Sequence, residues 1–369
     1  MPSICILGVL TALYAALFLF FSIGLLRAKR NRSVPEKNWT VSVIVPLRNE
    51  EEHAQRTLEA LAAQDYTGNW EVICVNDRST DGTARILEAF AATHPQFSVV
   101  HIPTDAPFLE SPKKRALETG FKAAKYEILM TMDADCIPPK GWIRSMANRF
   151  RGNIAIVQGP KKNSGSPGIV HAYQKLETLG YTSIEAGGFS MGVPMVASAA
   201  ALAYKKELFF RAGGFGDLVH LSSGDDDMLV HKMIHEPNVE FCYNLDPDAV
   251  VETAPVDTFK GLLNQRARWS SNGTRYANHF YTLFLTLIYT FYVWLFVAPW
   301  LALFAEFPWS WFYVPLAVKV AVDAIFLTIG AVRLREEKIL LALPMVELLQ
   351  IPIITAAVPL GIFKLFRWK

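Results

Sequence analysis

Two aspartates, Asp133 and Asp135, stand two residues apart directly after the apolar run EILMTM. Carboxylate oxygens are hard ligands that suit Mg²⁺ or Mn²⁺, and these ions usually complete their shells with water and substrate phosphates. Acidic pairs are also common in turns that hold no ion. The pair is therefore a candidate metal site, with Asp135 and Asp133 as its ligands.

A run of three acids, GDDDML, precedes another apolar segment and contains Asp225, Asp226 and Asp227. Adjacent carboxylates repel one another, so we expect some of them to have raised pKa values or to hold a cation. Acids at a helix start are also stabilised by the positive end of the helix dipole. The run is either a site of acid–base chemistry or an ordinary helix start.

Two further residues could bind a phosphorylated ligand. Asp77 follows the apolar run WEVICV, where its carboxylate could accept hydrogen bonds from a base or a ribose. Lys113, in SPKKRAL, could offset phosphate charge, and it could equally belong to a solvated basic helix start. Both residues are candidate nucleotide ligands.

The segment QRARW contains Gln265, Arg268 and Trp269 shortly before an apolar stretch. Arg makes forked contacts with phosphate, and Trp offers a flat face for stacking, so the cluster could clamp a diphosphate and an acceptor sugar. Trp and Arg also favour the headgroup region of a membrane. A ligand clamp and an interfacial anchor both remain open for this cluster.

Strands that alternate with helices are the elements predicted to hold these residues. Residues 41–45 (VSVIV), 70–75 and 127–132 are apolar runs of strand length, and helical patterns follow the first two. Such alternation predicts an α/β fold with a mostly parallel, Rossmann-like sheet and right-handed crossovers.

Ligands of such sheets bind at the carboxyl ends of the strands. The first strand ends at PLRNE, which supplies Pro46, Arg48 and Glu50, and the next two end at NDRSTD and DAD. None of these positions carries a glycine-rich phosphate loop. Paired carboxylates that hold a metal are the expected substitute.

The N-terminal residues 2–26 contain no charge and are long enough to cross a bilayer as a helix. Arg27, Lys29, Arg30 and Arg32 follow, which places the C-terminal end of this helix in the cytoplasm by the positive-inside rule. A signal peptide would have the opposite charge order. We therefore expect a membrane anchor, in the inner or plasma membrane if the cell is bacterial, with a cytoplasmic domain after it.

Three predicted regions follow from the apolar pattern: an anchor and basic flank at 1–32, a globular domain at 33–277, and a transmembrane region at 278–369 with two to three helices. Lys319 and Asp323 share one helical face there and can neutralise each other. The last stretch, residues 339–363, contains Glu347 and three prolines and precedes a basic tail. A full crossing would put this tail outside, whereas a re-entrant hairpin would keep it inside, and both remain open.

Charge and cysteine content exclude some classes of function. The chain has 36 Lys and Arg against 34 Asp and Glu, a net charge of +2, which argues against a nucleic-acid surface. Cys5, Cys74, Cys136 and Cys242 are scattered without paired spacing, so a reduced compartment is the simpler interpretation.

The motifs PLRNE, NDRSTDGT, DAD, GDDD and QRARW stand in this order along the chain. Together they resemble the family 2 glycosyltransferases with the GT-A fold, especially the membrane-bound branch of cellulose, chitin and hyaluronan synthases and ceramide glucosyltransferase. The resemblance covers about residues 40–275. It implies a GT-A catalytic domain that uses Mg²⁺ or Mn²⁺.

The resemblance also implies a role for each candidate in the globular domain. Nucleotide-sugar binding falls to the PLRNE segment, Asp77, Lys113 and Asp133, and metal binding to Asp135 with Asp133. The catalytic base is Asp226, with Asp225 as its neighbour. Gln265, Arg268 and Trp269 match the QxxRW signature, which binds the donor diphosphate beside the acceptor site.

The reaction implied is an inverting transfer from a nucleoside-diphosphate sugar, with a UDP-sugar favoured because uridine diphosphate is the family's commonest carrier. The acceptor is expected to be a membrane lipid or a lipid-linked sugar, because the additional spans and gating loop of the cellulose-synthase branch are not visible. The family often has the segment Gly-Ala-Asn-x-Ala-Tyr, whereas residues 199–204 read AAALAY. The Asn, which normally contacts the acceptor or the donor, is missing here, so the resemblance does not fix the sugar specificity.

Three alternatives remain beside this interpretation. One is a processive polysaccharide synthase that needs membrane partner subunits to supply a channel. Another is a non-catalytic sugar-nucleotide sensor or membrane scaffold. The third is a small transporter, which would rest on Lys319 and Asp323 alone.

Overall fold

A computed structural model describes residues 2–28, 37–105, 111–221, 224–273, 275–276 and 279–367. The helices are α1 (Pro2–Arg27), α2 (Ala54–Ala62), α3 (Thr83–Thr93), α4 (Pro112–Ala123), α5 (Trp142–Ala147), α6 (Ile169–Ser190), α7 (Lys206–Arg211), α8 (Asp227–Met233), α9 (Phe259–Ser270), α10 (His279–Phe304), α11 (Ser310–Leu334) and α12 (Leu343–Ile362). The strands are β1 (Val41–Leu47), β2 (Trp70–Asn76), β3 (Phe97–His101), β4 (Ile128–Thr131), β5 (Cys136–Ile137), β6 (Ile154–Gln158), β7 (Lys161–Asn163), β8 (Leu202–Lys205), β9 (Glu240–Tyr243) and β10 (Val251–Thr253).

The chain forms two compact units. The sheet unit consists of Ala28–Ser164 and Gly188–Ala254, and the helical unit consists of Met1–Arg27, Gly165–Gly187 and Pro255–Lys369. The boundaries predicted at 32/33 and 277/278 fall outside the described residues, as does most of the basic flank after α1, and they stay predictions.

The sheet unit contains a seven-stranded sheet of order β3-β2-β1-β4-β8-β6-β9. The first four strands of this order are parallel, and β8 runs antiparallel to both of its neighbours. β1 lies in the middle of the parallel part and is buried on both faces, as its run of β-branched residues predicts. The predicted mostly parallel α/β sheet is confirmed.

The strand order reverses between β1 and β4, because β2 and β3 lie on one side of β1 and β4 lies on the other. β1 pairs with β4 only as far as Ile44 and Thr131, whereas it pairs with β2 as far as Leu47 and Asn76. Pro46 therefore lies beyond the β4 pairing, where its missing N–H removes no ladder hydrogen bond. The two strands separate here, at the point where open α/β sheets bind ligands.

A second sheet of three short strands, in the order β5-β10-β7, fixes the chain that follows β4. β5 pairs antiparallel with β10 through Cys136 and Thr253, and the Ala254 N–H donates to the Asp135 carbonyl at 3.2 Å. The segment that carries Asp133 and Asp135 is thus held by regular backbone pairing on its C-terminal side.

Among its described residues, the helical unit contains four segments that are long and apolar enough to cross a membrane: Ile6–Arg27, Tyr281–Phe304, Ser310–Leu334 and Glu337–Ile362. α1 packs along α11 in the same direction, since Tyr14 bonds Asp323 and the Arg333 guanidinium donates to the Leu25 carbonyl. One N-terminal and three C-terminal apolar helices agree with the predicted architecture.

The path of α12 bears on the open question about the C-terminal tail. α12 runs antiparallel to α10: Tyr289 donates to the Thr355 carbonyl, and Ile351, earlier in α12, packs with Tyr292. The C-terminal end of α12 then meets α9, where the side chain of Asn264 exchanges two hydrogen bonds of 2.8 Å with the main chain of Arg367. The tail therefore returns to the end of the helical unit from which α10 departs.

The predicted pairing of Lys319 with Asp323 is present, at 2.8 Å, and Lys319 is fully buried. Its ammonium also lies 2.5 Å from Glu347 of α12 and 3.1 Å from the Gln350 side-chain oxygen. Tyr14 of α1 donates to both Asp323 oxygens. These contacts join three helices, which supports the structural interpretation of the pair.

Candidate active site

Asp133 and Asp135 lie in a tight turn between β4 and β5. The Thr57 hydroxyl of α2 lies 2.7 Å from the Ala134 carbonyl oxygen and 2.9 Å from that of Cys136, and the Cys136 N–H donates to the Asp133 carbonyl. The turn is thus held by α2 and by its own main-chain hydrogen bond. Both carboxylates remain partly exposed, so they can reach a ligand.

The donor groups of this turn fit a hard divalent cation. The side-chain oxygens of Asp133 and Asp135 and the Cys136 sulfur lie within 4.8 Å of one another. Cys136 is fully buried, and burial, followed by the charges of the two aspartates, raises the pKa of its thiol well above the usual range. A protonated thiol does not bind Mg²⁺ or Mn²⁺, so the two carboxylates are the usable ligands.

Lys113 connects the turn that carries Asp133 and Asp135 with the acidic run GDDDML. Its ammonium lies 2.7 Å from Asp133 Oδ1 and 2.8 Å from Asp225 Oδ2. Pro112 begins α4, where its fixed backbone angle suits a helix start, and Lys113 is the next residue of the helix. Burial opposes the charge of Lys113, but the carboxylates of Asp133, Asp225 and Asp226 outweigh this cost and raise the pKa of its ammonium.

Asp225 and Asp226 are adjacent, but their pKa values move in opposite directions. Burial opposes the charge of Asp225, yet its ion pair with Lys113 keeps the pKa of its carboxyl below the usual range. Burial raises the pKa of the Asp226 carboxyl well above that range, and the charges of Asp225 and Asp227 raise it further. A carboxyl with a raised pKa can accept a proton near neutral pH, as a general base must.

Asp226 is also held in place as the N-cap of α8. Its Oδ1 accepts from the Asp227 N–H at 2.8 Å, and its Oδ2 accepts from the Ala199 N–H at 3.3 Å. Ala199 begins the AAALAY segment, whose following residues form β8. The run is therefore both a helix start and a pair of carboxyls with unlike pKa values.

Asp77 lies at the end of β2 and is nearly fully buried. Its Oδ1 accepts from Arg78 Nε at 2.8 Å and from Arg115 Nη2 at 3.0 Å. Its Oδ2 is buried without a hydrogen-bond partner among the described residues, an arrangement that costs free energy unless a ligand donates to it. The position suits a nucleobase N–H.

The loops after β1 and β2 are bonded to each other. Asn49, with a positive φ of 54°, accepts from the Thr80 N–H through its side chain, and the Glu50 N–H donates to the Thr83 hydroxyl at 2.8 Å. Arg48 and Glu50 lie on the first of these loops, Pro46 lies near the end of β1 just before it, and all three are partly buried. The loops form one rigid edge at the carboxyl ends of the strands.

Gln265, Arg268 and Trp269 lie on α9 in the helical unit, where a residue between them fixes the helix. Arg266 forms a buried, bidentate ion pair with Glu177 of α6, and its guanidinium stacks on the Trp269 ring at 4.2 Å. The Trp269 indole remains 39% exposed. The Arg266 guanidinium thus supports one face of the Trp269 ring.

Two family models match the chain. One, described as Glycosyl transferase family 2, matches residues 42–209, and the other, described as Glycosyl transferase family group 2, matches residues 128–349, which is more than half of the chain. The chain therefore belongs to the family 2 glycosyltransferases. The enzyme class predicted from the motifs is confirmed.

Two known relatives are similar to somewhat less than two thirds of the chain. Poly-β-1,6-N-acetyl-D-glucosamine synthase of Staphylococcus epidermidis is 27% identical over 239 residues, 63% of this chain and 54% of the relative. Glycosyltransferase AglE of Haloferax volcanii is 26% identical over 232 residues, 62% of this chain and 71% of the relative. The chain spans about half the length of the synthase that it matches.

Among solved structures, a mannosyltransferase of Pyrobaculum calidifontis, in complex with GDP-Man and Mn²⁺, is similar with a TM-score of 0.59 and 20% identity. The similarity covers 98% of this chain and 99% of the other. At this identity it establishes the fold alone, and the GT-A fold with apolar helices agrees with the sequence-based prediction.

The sheet unit brings Lys113, Asp133, Asp225 and Asp226 together and places Asp135 in the same turn as Asp133. Sequence reasoning missed Arg115, which pairs with Asp77, and Lys114, which is buried. Lys114 lies three and seven residues before Leu117 and Phe121, on the apolar stripe of α4. That spacing was the signal that it would not be solvated.

Proposed function

We propose that the protein transfers a sugar from a nucleoside-diphosphate sugar to a hydroxyl of a membrane lipid or lipid-linked acceptor, with inversion at the anomeric carbon. One observation carries the proposal: Lys113 lies between Asp133 and Asp225 while the neighbouring Asp226 has a raised pKa. A phosphate-binding cation and a proton acceptor thus share one site.

The donor nucleotide binds at the loops after β1 and β2. Asp77 accepts a hydrogen bond from the base through its buried Oδ2, and Pro46, Arg48 and Glu50 line the same edge. Lys113 offsets charge on the diphosphate. A UDP-sugar is the favoured donor on the family resemblance, although the mannosyltransferase of similar fold binds GDP-Man.

Asp135, with Asp133, holds Mg²⁺ or Mn²⁺. The ion supplies Lewis-acid stabilisation of the charge that develops on the diphosphate. The two carboxylates suit such an ion because they are partly exposed and come from a turn fixed by Thr57. The Mn²⁺ in the mannosyltransferase complex supports this assignment.

Asp226 acts as the general base, with Asp225 as its neighbour. It takes the proton of the acceptor hydroxyl, whose oxygen forms a bond to the anomeric carbon from the face opposite the diphosphate. The bond from that carbon to the diphosphate breaks, and the diphosphate leaves with the electron pair. One displacement inverts the anomeric centre. Gln265, Arg268 and Trp269 contribute to binding of the diphosphate and the acceptor, as the resemblance implies.

The protein is proposed to be an integral membrane protein with its catalytic part in the cytoplasm. The basic residues after α1 support this orientation. The return of the C-terminal tail to α9 supports a re-entrant α12, which keeps the basic tail on the same side. The membrane is the inner or plasma membrane if the cell is bacterial.

A second candidate is a processive polysaccharide synthase with membrane partner subunits. The relative from Staphylococcus epidermidis, which is named a poly-β-1,6-N-acetyl-D-glucosamine synthase, favours it. The two candidates differ in product length, since a single transfer adds one sugar or a few.

The test is release of nucleoside diphosphate by the purified full-length protein in detergent. A panel of UDP- and GDP-sugars is supplied with a membrane lipid extract, with Mn²⁺, with Mg²⁺ or with a chelator, and products are sized by chromatography. The proposal expects metal-dependent and lipid-dependent release from one donor, with a short product. Long polymer would support the synthase, and no release from any donor would count against both enzymes.

A further inference from the structure

Lys114 is a fully buried lysine that the proposed mechanism does not use. It lies on α4 next to Lys113, and its side chain falls on the apolar side of the helix with Leu117 and Phe121. An ammonium group buried in such surroundings costs much free energy unless it is hydrogen-bonded. Its presence therefore requires a specific partner.

Among the described residues, its partners include two main-chain carbonyls close before the acidic run. The Lys114 ammonium donates to the Leu218 oxygen at 2.7 Å and to the Leu221 oxygen at 2.8 Å. These residues belong to, or directly follow, the short 3₁₀ helix Gly216–His220. Carbonyls at the C-terminal end of a helix attract a cation, so Lys114 acts as a cap for this turn.

The other end of the same segment is held by packing. Phe215 is fully buried and contacts the rings of Phe121 and Phe209 at centroid distances of 6.2 and 5.4 Å. Gly213, Gly214 and Gly216 all have positive φ, which lets the chain reverse on both sides of Phe215. Residues 216–221 are thus fixed at the start by an aromatic side chain and at the end by Lys114.

The electrostatics of Lys114 are consistent with this tie. Burial lowers the pKa of its ammonium to about 8, although the charges of Asp225, Asp226 and Asp227 oppose the decrease. The group thus remains largely protonated at neutral pH, where it bonds the two carbonyls. Lys113 contacts the acidic run directly, through the Asp225 carboxylate. Lys114 instead bonds the main chain at Leu221, shortly before the run.

We propose that Lys114 is a positioning residue: by tying residues 218–221 to α4, it sets where Asp225 and Asp226 stand relative to Lys113. It touches neither donor nor acceptor. The inference rests on the proposed function, because it assigns a catalytic role to the acids that Lys114 positions. A displacement of reacting groups by about 1 Å can slow a reaction about 100-fold.

Three variants of the full-length protein test the proposal: Lys114→Met, Lys114→Arg, and the control Lys122→Met on the exposed side of the same helix. For Lys114→Met we expect kcat per folded molecule to fall about 10- to 100-fold, with the donor KM within about twofold of wild type. Lys114→Arg should recover part of kcat, because a guanidinium can also donate to two carbonyls. Lys122→Met should match wild type.

A second measurement does not depend on turnover. Hydrogen exchange followed by mass spectrometry should show faster exchange at residues 216–221 and 224–226 in Lys114→Met, with unchanged exchange in β1 and β4. Wild-type kcat per folded molecule in Lys114→Met, or unchanged exchange at 216–221 and 224–226, would overturn the positioning role. If the wild type itself releases no nucleotide from any donor, the proposed function fails, and the exchange experiment still decides whether Lys114 fixes the segment.

Discussion

The ammonium of Lys113 lies 2.7 Å from Asp133 Oδ1, although the two residues come from different elements, the start of α4 and the end of β4. These elements flank the point at which the strand order reverses around β1. The same ammonium also contacts Asp225, so Lys113 pairs with two acids of the candidate site. Without a bound ligand, Lys113 therefore balances the charge of two carboxylates, and we propose that it binds the diphosphate of the donor.

Replacement of this lysine should weaken use of the donor. Lys113→Met removes a charged hydrogen-bond donor worth about 1.5–3 kcal/mol, so kcat/KM for the donor should decrease about 10- to 100-fold. Steady-state kinetics over a range of donor concentrations measures this. Lys113→Arg keeps the charge and should lose less, and Lys122→Met on the same helix serves as the control. A Lys113→Met enzyme with wild-type kcat/KM would remove Lys113 from the donor site.

The raised pKa of Asp226 predicts the pH dependence of the reaction. A base works only when deprotonated, so kcat should fall as the pH decreases through the raised pKa, above the ordinary aspartate range. The charge of Asp227 contributes to the increase, so Asp227→Asn should move the acidic limb to lower pH. The pH profile of kcat for both enzymes tests the sign. A limb that stays in place, or moves to higher pH, would contradict the assignment of Asp226.

The course of α12 predicts the location of the C-terminal tail. In a background that lacks Cys5 and the partly exposed Cys242, Leu365→Cys should react with a membrane-impermeant thiol reagent only from the cytoplasmic side, because the tail returns to α9. Ser310→Cys, exposed at the start of α11, is the matched control and should react only from the opposite side. Reaction of both cysteines from the side opposite the cytoplasm would show that α12 crosses the membrane completely.

The parallel half of the sheet could be predicted from sequence because its strands are continuous apolar runs that end in polar residues. Residues 41–45, for example, lie within a strand that is buried almost throughout. The second sheet could not be predicted, because β5, β7 and β10 have two or three residues each and carry no periodicity. Their pairing is set by tertiary contacts alone.

In the candidate site, too, single residues could be predicted from the sequence and their long-range contacts could not. Asp133 and Asp225 could be identified from motifs, but their connection through Lys113 joins positions that are far apart in the chain. The pairing of Glu177 with Arg266 links residues 89 apart, and the sequence gives no local sign of it. The basic triplet KKR predicts a solvated helix start, and this local charge outweighed the helical spacing that puts Lys114 on the apolar stripe of α4.

The most direct test of the central assignment is the rate of nucleoside diphosphate release by Asp226→Asn, with metal, donor and lipid acceptor present, beside wild type and Asp227→Asn. Loss of a general base costs about 100- to 10,000-fold in rate, so release should drop by at least about 100-fold in Asp226→Asn and remain substantial in Asp227→Asn. The Asp226→Asn protein should still bind the nucleotide, because Asp77 and Lys113 are intact. Release by Asp226→Asn at the wild-type rate would contradict the account and remove Asp226 as the base.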